Sequence, residues 1–273
     1  MPSIIQEDKA NISDIYKGGL MFLIASHSSQ ALCEFAINIV EEIFESKIED
    51  INTSNDIDVQ LFISKAKKCK NIFTNDEHTK KLLKDLIRDR YKLYQDDDFL
   101  FDVPRLRIVP NSNFLSSGIS YNYKPHRDTW YGAGQDQLNH WMAVSNVTEN
   151  STFYIAPSYF SRKISNNSEI FDLDEWDTKY RPQAEANVGV EVRPHPVPLD
   201  DLDMDDRSNI VLPRGSEVAF SGQHLHGSSP NTTSFVRFSI DYRVCPAHAN
   251  YINPKNIDNK ASGNYKKYML PVG

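Results

Sequence analysis

The sequence lacks three things that would narrow its class at once: a disulfide framework, an apolar run long enough for a membrane, and an excess of positive charge. Its three cysteines, Cys33, Cys69 and Cys245, are an odd number with no close spacing. That fits reduced thiols in a cytoplasmic protein better than secreted cross-links. The apolar run at 20–25 falls far short of the roughly 20 residues a bilayer needs. The first residues also lack the basic start and apolar stretch of a signal peptide. Lys and Arg number 30 against 37 Asp and Glu, a formal charge of −7, so a general nucleic-acid binder, which needs a basic surface, is excluded. The one basic run, Lys65, Lys67, Lys68 and Lys70, reads as the solvated face of a helix. Sequons such as Asn150-Ser-Thr and Asn231-Thr-Thr read as unmodified without a secretory signal.

What is present is an ordinary globular composition, 40% hydrophobic and 25% charged over 273 residues. Such a chain buries a core large enough to fold without metal or disulfides. Its pattern changes near residue 100. Before that point Leu32, Phe35, Ala36, Ile39, Val40 and Ile43 recur at three and four, after N-cap candidates in Ser26-His-Ser-Ser. A second helical set runs from Leu82 to Leu93 behind Thr74-Asn-Asp, and residues 20–24 suit a short strand. Beyond residue 100 the period falls to two. Candidate strands lie at 105–109, 118–123, 135–145, 152–156, 188–197, 217–221 and 234–244. Strands at this spacing, without helices between them, indicate a sandwich or barrel. The polar stretch 158–187, anchored by Trp176 and Tyr180, reads as a long inserted loop over a site.

Chemistry enters with Tyr123-Lys-Pro-His126-Arg-Asp128. A His and an Asp two apart on a strand end point to one side and suit a single metal. Alone, such a pair is more often structural. A distant His226-Gly-Ser228 completes two His and one carboxylate, the facial triad that leaves three adjacent positions open on non-haem iron. Arg237 follows His226 by eleven residues and shares a strand face with Ser239. A guanidinium and a hydroxyl so placed suit a carboxylate. His224 competes with His226: it lies thirteen residues from Arg237 on the same strand face, and alternation alone does not separate the two.

With these residues the chain resembles the Fe(II)/2-oxoglutarate-dependent dioxygenases, particularly the phytanoyl-CoA dioxygenase-like branch. The resemblance runs from about Asp102 to Tyr242-Arg. It implies one oxygenase domain over 1–273: a helical support region at 1–100, a double-stranded β-helix (jelly-roll) core at 101–245, and a C-terminal tail at 246–273. It further implies Fe(II), 2-oxoglutarate and O2 as cofactor and co-substrates, with release of succinate and CO2. His126, Asp128 and His226 become the metal ligands, and Arg237 with Ser239, Ser228 and Gln137 the co-substrate residues. Halogenating relatives carry a small residue where this chain has Asp128, which argues against halogenation.

The expected substrate is a small polar or carboxylated metabolite, within natural product biosynthesis, and the expected outcome is hydroxylation or oxidative cyclisation. Kainoid-type synthases, which close a ring on a prenylated glutamate, belong to this broad family. Arg107, Tyr131, Asn139 and Trp141 are candidate substrate residues. For Gln137, Asn139 and Trp141 the competing role is satisfying buried hydrogen bonds. Arg105 suits a surface ion pair, and Arg243 either supports the carboxylate site or pairs with a neighbouring acid. The competing functional class is a cupin-like binding protein whose metal site is vestigial. No nucleic acid and no membrane are expected as partners, and the sequence leaves the oligomeric state open.

Overall fold

A computed structural model describes residues 5–7, 12–53, 58–92, 99–111, 124–185, 191–247 and 258–273. Four helices precede most of the strands: α1 (Ile12–Tyr16), α2 (His27–Phe44), α3 (Val59–Asn75) and α4 (Glu77–Tyr91). The expected stripe of α2 is the buried one, with Leu32, Ala36, Ile39, Val40 and Ile43 inside. Ser26 and Ser29 close a capping box at its start, and Glu45 ends it in the left-handed region at φ 57°. Asp76 caps α4, its carboxylate accepting from His78 N at 2.7 Å. Asp76→Ala should therefore cost about 1 kcal/mol of stability, read as a lower urea midpoint at unchanged slope.

The strands are β1 (Ile5–Glu7), β2 (Met21–Leu23), β3 (Phe99–Phe101), β4 (Arg105–Val109), β5 (Leu138–Ala143), β6 (Phe153–Ala156), β7 (Ser208–Asn209), β8 (Glu217–Ser221), β9 (Leu225–Ser228), β10 (Arg237–Pro246) and β11 (Leu270–Pro271). The larger sheet runs β1-β2-β8-β5-β10-β3-β11, with β4 also on β10, and the smaller runs β7-β6-β9. Apart from the parallel pair β1 and β2, the ladders are antiparallel.

Alternation along the large sheet separates two environments. Leu106, Ile108, Met142, Phe238, Ile240, Tyr242 and Val244 pack against the helices. Each such burial contributes about 1.5–3 kcal/mol. Their neighbours face the small sheet. Trp141, Ala143, Val218 and Phe220 meet Phe153 and Ile155 and fill one end of the space between the sheets. Arg105, Arg107, Asn139, Arg237, Asp241 and Arg243 line the other end, which stays open as a cavity of about 380 Å³. One strand pattern thus builds both core and cavity.

Two readings of the sequence are corrected. Residues 191–197 form no strand, because Pro194 and Pro196 remove ladder donors from an otherwise apolar alternation. Residues 158–185 are a chain of short helical turns, including Ser168–Ile170, Leu173–Glu175 and Trp176–Tyr180. Phe171, Leu173 and Trp176 cluster there with Tyr265 and Met269 of the C-terminal segment. The candidate strand at 118–123 and residues 188–190 lie outside the described residues. Among the described residues, no helix is long and apolar enough to cross a membrane.

Candidate metal and co-substrate site

The backbone brings the two histidines together. His126 N donates to His226 O at 2.8 Å and His226 N to His126 O at 2.9 Å, a bridge that continues β9. A 3₁₀ turn then begins at Asp128 and closes through Gly132 at φ 78°, a conformation that suits glycine. The bridge followed by the turn aims His126 and Asp128 at the same point as His226.

Each imidazole is oriented by a carbonyl. His126 Nδ1 donates to Lys124 O at 2.8 Å and His226 Nδ1 to His224 O at 3.0 Å. Both Nδ1 atoms carry the proton, so both Nε2 atoms present lone pairs. Each Nε2 lies 3.5 Å from Asp128 Oδ1. Three acceptors thus converge with no donor between them, and ligand atoms of all three residues lie within 4.8 Å of one another. A divalent cation resolves that arrangement, and the donor set suits non-haem Fe(II).

Protonation agrees with this. Burial pushes the His226 imidazole down to about 4, with the His126 ring adding to the effect. Burial alone would raise the Asp128 carboxyl, but Arg243 and the two histidines outweigh it and hold it far below the carboxylate range. Asp128 Oδ2 accepts from Arg243 Nε and from Gln137 Nε2, each at 3.3 Å, which leaves Oδ1 for the metal.

His224 sits in the turn before β9, away from this group. Its ring faces Gly18 O and Ser221 O, each at 3.2 Å, and packs on Phe160. Burial pushes it down to about 4 against the two carbonyls, which favour its charged form, and both ring nitrogens are turned away from the convergence point.

Along β10, Arg237 Nη1 donates to Ser151 O at 3.0 Å and the guanidinium lies 5.9 Å from the Trp141 ring. Burial pushes Arg237 down to about 10. Its Nε and the Ser239 Oγ are buried and have no hydrogen-bond partner. Two such donors normally find an acceptor, and the distal carboxylate of 2-oxoglutarate is one that fits.

Gln137 stands differently. Its amide nitrogen is spent on Asp128 and on Asn139 Oδ1, the latter at 2.8 Å. The atom left over, Oε1, is an acceptor and repels a carboxylate. Gln137 thus holds Asp128 Oδ2 through its amide nitrogen while lining the cavity. Ser228, Asn139 and Tyr131 line the cavity, and Tyr131 packs edge-on against His126 with ring centroids 5.2 Å apart. Arg107 Nε donates to Asp241 Oδ2 at 2.5 Å.

Arg243 does not reinforce Arg237; it pairs with Asp102 and Asp128. Arg105 is also turned inward, bonded to Asp102 and to Tyr265. Sequence reasoning missed Lys70, Arg193 and Tyr265 as cavity residues. Lys70 is the clearest correction. Lys67 and Lys68 are exposed as a solvated helix face should be, while Lys70 lines the cavity.

The chain matches no protein-family model and no curated protein. Among solved structures it is similar to EvdO2 from Micromonospora carbonacea var. aurantiaca complexed with 2-oxoglutarate, at 13% identity over 94% of this chain and 98% of that one, TM-score 0.51. The chain shares the fold of EvdO2. A second EvdO2 structure gives 13% identity over the same shares, TM-score 0.50. The epimerase SnoN in complex with Fe3+, alpha ketoglutarate and nogalamycin RO is also similar, at 12% identity over 96% of this chain and 97% of that one, TM-score 0.47.

Proposed function

We propose that the chain is an Fe(II)- and 2-oxoglutarate-dependent oxygenase on a double-stranded β-helix core, acting on a small polar or carboxylated metabolite. The observation that carries this reading is one cavity lined by His126, Asp128, His226 and Arg237, with Ser239 buried on the same strand face as Arg237. Two imidazole lone pairs and a carboxylate oxygen converge at one place. Two buried, partnerless donors, Arg237 Nε and Ser239 Oγ, lie on β10.

His126, His226 and Asp128 would hold the iron, and Arg237 with Ser239 the distal carboxylate of 2-oxoglutarate. Iron, once bound, supplies the oxidising chemistry that turns 2-oxoglutarate and O2 into succinate and CO2 while a substrate hydrogen is removed. Arg243 and Gln137 keep Asp128 ionised and turned. Tyr131, Phe171 and Trp176 wall the cavity with rings that exclude water.

Anaerobic addition of Fe(II) and 2-oxoglutarate should give a weak visible charge-transfer band, absent in His126→Ala. Arg237→Gln should keep the band but require about 10- to 100-fold more 2-oxoglutarate, the value of a charge-assisted pair. A wild-type protein without a band, and without succinate formation against any candidate substrate, would instead be a binding protein. Product mass separates the two outcomes, gain of one oxygen for hydroxylation and loss of two hydrogens for ring closure.

A further inference from the structure

The turn that carries Asp128 is gripped from behind by the C-terminal segment, residues 258–273. Arg127 stands between His126 and Asp128 in sequence, fully buried and outside the cavity wall. Its Nη2 donates to Tyr159 O and Arg162 O, each at 2.6 Å, while Nε and Nη1 have no hydrogen-bond partner. A buried guanidinium needs a counter-charge. The carboxylate set beside it is Asp258, whose Oδ2 lies 3.6 Å from Nε. Asp258 Oδ1 also accepts from Trp130 Nε1 at 2.8 Å, and Oδ2 from Ile164 N at 3.0 Å. One buried acid thus holds both the metal turn and the segment 158–185, whose Phe171, Leu173 and Trp176 line the cavity.

The C-terminal segment reaches the same turn again at Tyr265. Its N donates to Gly132 O at 3.0 Å, at the glycine that closes the turn. The Tyr265 ring joins the cavity wall 5.5 Å from the Arg243 guanidinium, and its hydroxyl donates to Asp102 Oδ2. Arg243 donates to that oxygen through Nη1 at 3.2 Å and to Asp128 Oδ2 through Nε at 3.3 Å. A chain of hydroxyl, carboxylate and guanidinium therefore runs from Tyr265 to Asp128. Between these two holds, Ser262 Oγ donates to Asp172 Oδ2 at 2.6 Å and Lys260 Nζ to Asn166 O at 2.7 Å, contacts with the covering segment instead.

We propose that Asp258 and Tyr265 are positioning residues of the metal site. Asp258 fixes the backbone turn through Arg127 and Trp130, and Tyr265 fixes the Asp128 carboxylate through Asp102 and Arg243. The metal in this statement rests on the function proposed above. Ligands bind only as tightly as their orienting partners allow, and the loss of such a partner typically costs about 10- to 100-fold in affinity. Because Asp258 also holds Ile164 N, it ties the metal turn to the segment covering the cavity.

The test titrates the metal-free protein with Ni(II) by calorimetry, with thermal unfolding and amide exchange of the same samples. Asp258→Asn, Trp130→Phe and Tyr265→Phe should each bind Ni(II) about 10- to 100-fold more weakly. Trp130→Phe keeps a ring among Tyr159, Ile164 and Leu225 and removes only the donor to Asp258, so it reports even if Asp258→Asn fails to fold. In both of these variants the amides of residues 126–133 should exchange about tenfold faster, while those of α2 keep the wild-type rate. Tyr265→Phe retains its backbone bond to Gly132 and should weaken the metal without changing that exchange. Ser262→Ala loosens the segment elsewhere and should lower the unfolding temperature slightly at wild-type Ni(II) affinity.

Wild-type affinity in folded Trp130→Phe and Asp258→Asn would overturn the role of Asp258, and wild-type affinity in Tyr265→Phe that of Tyr265. An equal loss in Ser262→Ala would overturn both, since any loosening of the segment would then act alike. If the wild type binds no Ni(II) and gives no visible band, the oxygenase reading falls. Exchange at residues 126–133 in Trp130→Phe then decides the hold on the turn separately: faster exchange upholds it and an unchanged rate refutes it.

Discussion

His226→Ala should abolish Fe(II) binding and lower succinate formation to less than about a hundredth of wild type, whereas His224→Ala should leave both within a few-fold. The lower bound follows from residues outside the ligand set, whose loss alone typically costs about 10–100-fold. His226 Nε2 is one of three acceptors at the convergence point, and its Nδ1 proton is held by His224 O. The His224 backbone thus takes part while its side chain faces Gly18 and Phe160. Calorimetric titration with Fe(II) or Ni(II) separates the two variants without relying on turnover. Full metal affinity in His226→Ala, or its loss in a folded His224→Ala, would reverse the assignment.

The two histidines show what the sequence carries and where it stops. Alternation places positions 224 and 226 on one strand face, and only the interval to Arg237 separates them. In the structure the strand begins at Leu225, so alternation does not apply to His224. The convergence of His126, Asp128 and His226 was legible because ligands of one metal must meet, which calls for short local motifs and a fixed strand-to-strand offset. The helix stripe of α2 was legible because burial on one side leaves a period, and the strands β4, β6, β8 and β10, several of them buried on both faces, because β-branched and aromatic runs are bounded by turn residues.

The end of the cavity lined by Lys70, Arg193 and Tyr265 had no such imprint. Lys70 sits in a run of four lysines, and a charge run is written the same way whether its last member meets solvent or a cavity. Arg193 lies among alternating apolar residues that read as a strand. The warning was present in Pro194 and Pro196, which deny ladder bonds whatever the alternation says. Tyr265 reaches Asp102 and Arg105 from 160 residues or more away in sequence, a distance at which no pattern links them.

Behind the cavity lies the second large effect. Arg90 and Glu217 are fully buried where α4 meets β8, with Arg90 Nε donating to Glu217 Oε1 at 2.5 Å and Nη2 donating to Ile24 O at 2.7 Å. Glu217 Oε2 accepts from Tyr242 at 2.5 Å and faces His140 Nδ1 at 3.1 Å, while Tyr91 approaches the other nitrogen of that ring at 2.6 Å. Burial works against the carboxylate, but His140, Arg90 and Tyr242 together hold Glu217 below its ordinary range.

Arg90→Met should destabilise the protein by about 3–5 kcal/mol, because it leaves a buried charge without its partner. Thermal unfolding should move down by about 6–15 °C. Arg90→Met with Glu217→Met should recover most of that loss, since a buried pair replaced by apolar groups is often neutral or better. The pH dependence has a definite sign. A carboxyl held low in the folded state stabilises above its unfolded value and ceases to do so as pH falls through the folded value. The gap between wild type and Arg90→Met should therefore be full at neutrality and narrow below about pH 4. A gap that stays constant down to pH 3, or a double variant as unstable as the single, would mean that packing of the Arg90 stem, and not its charge, holds α4 to the sheet.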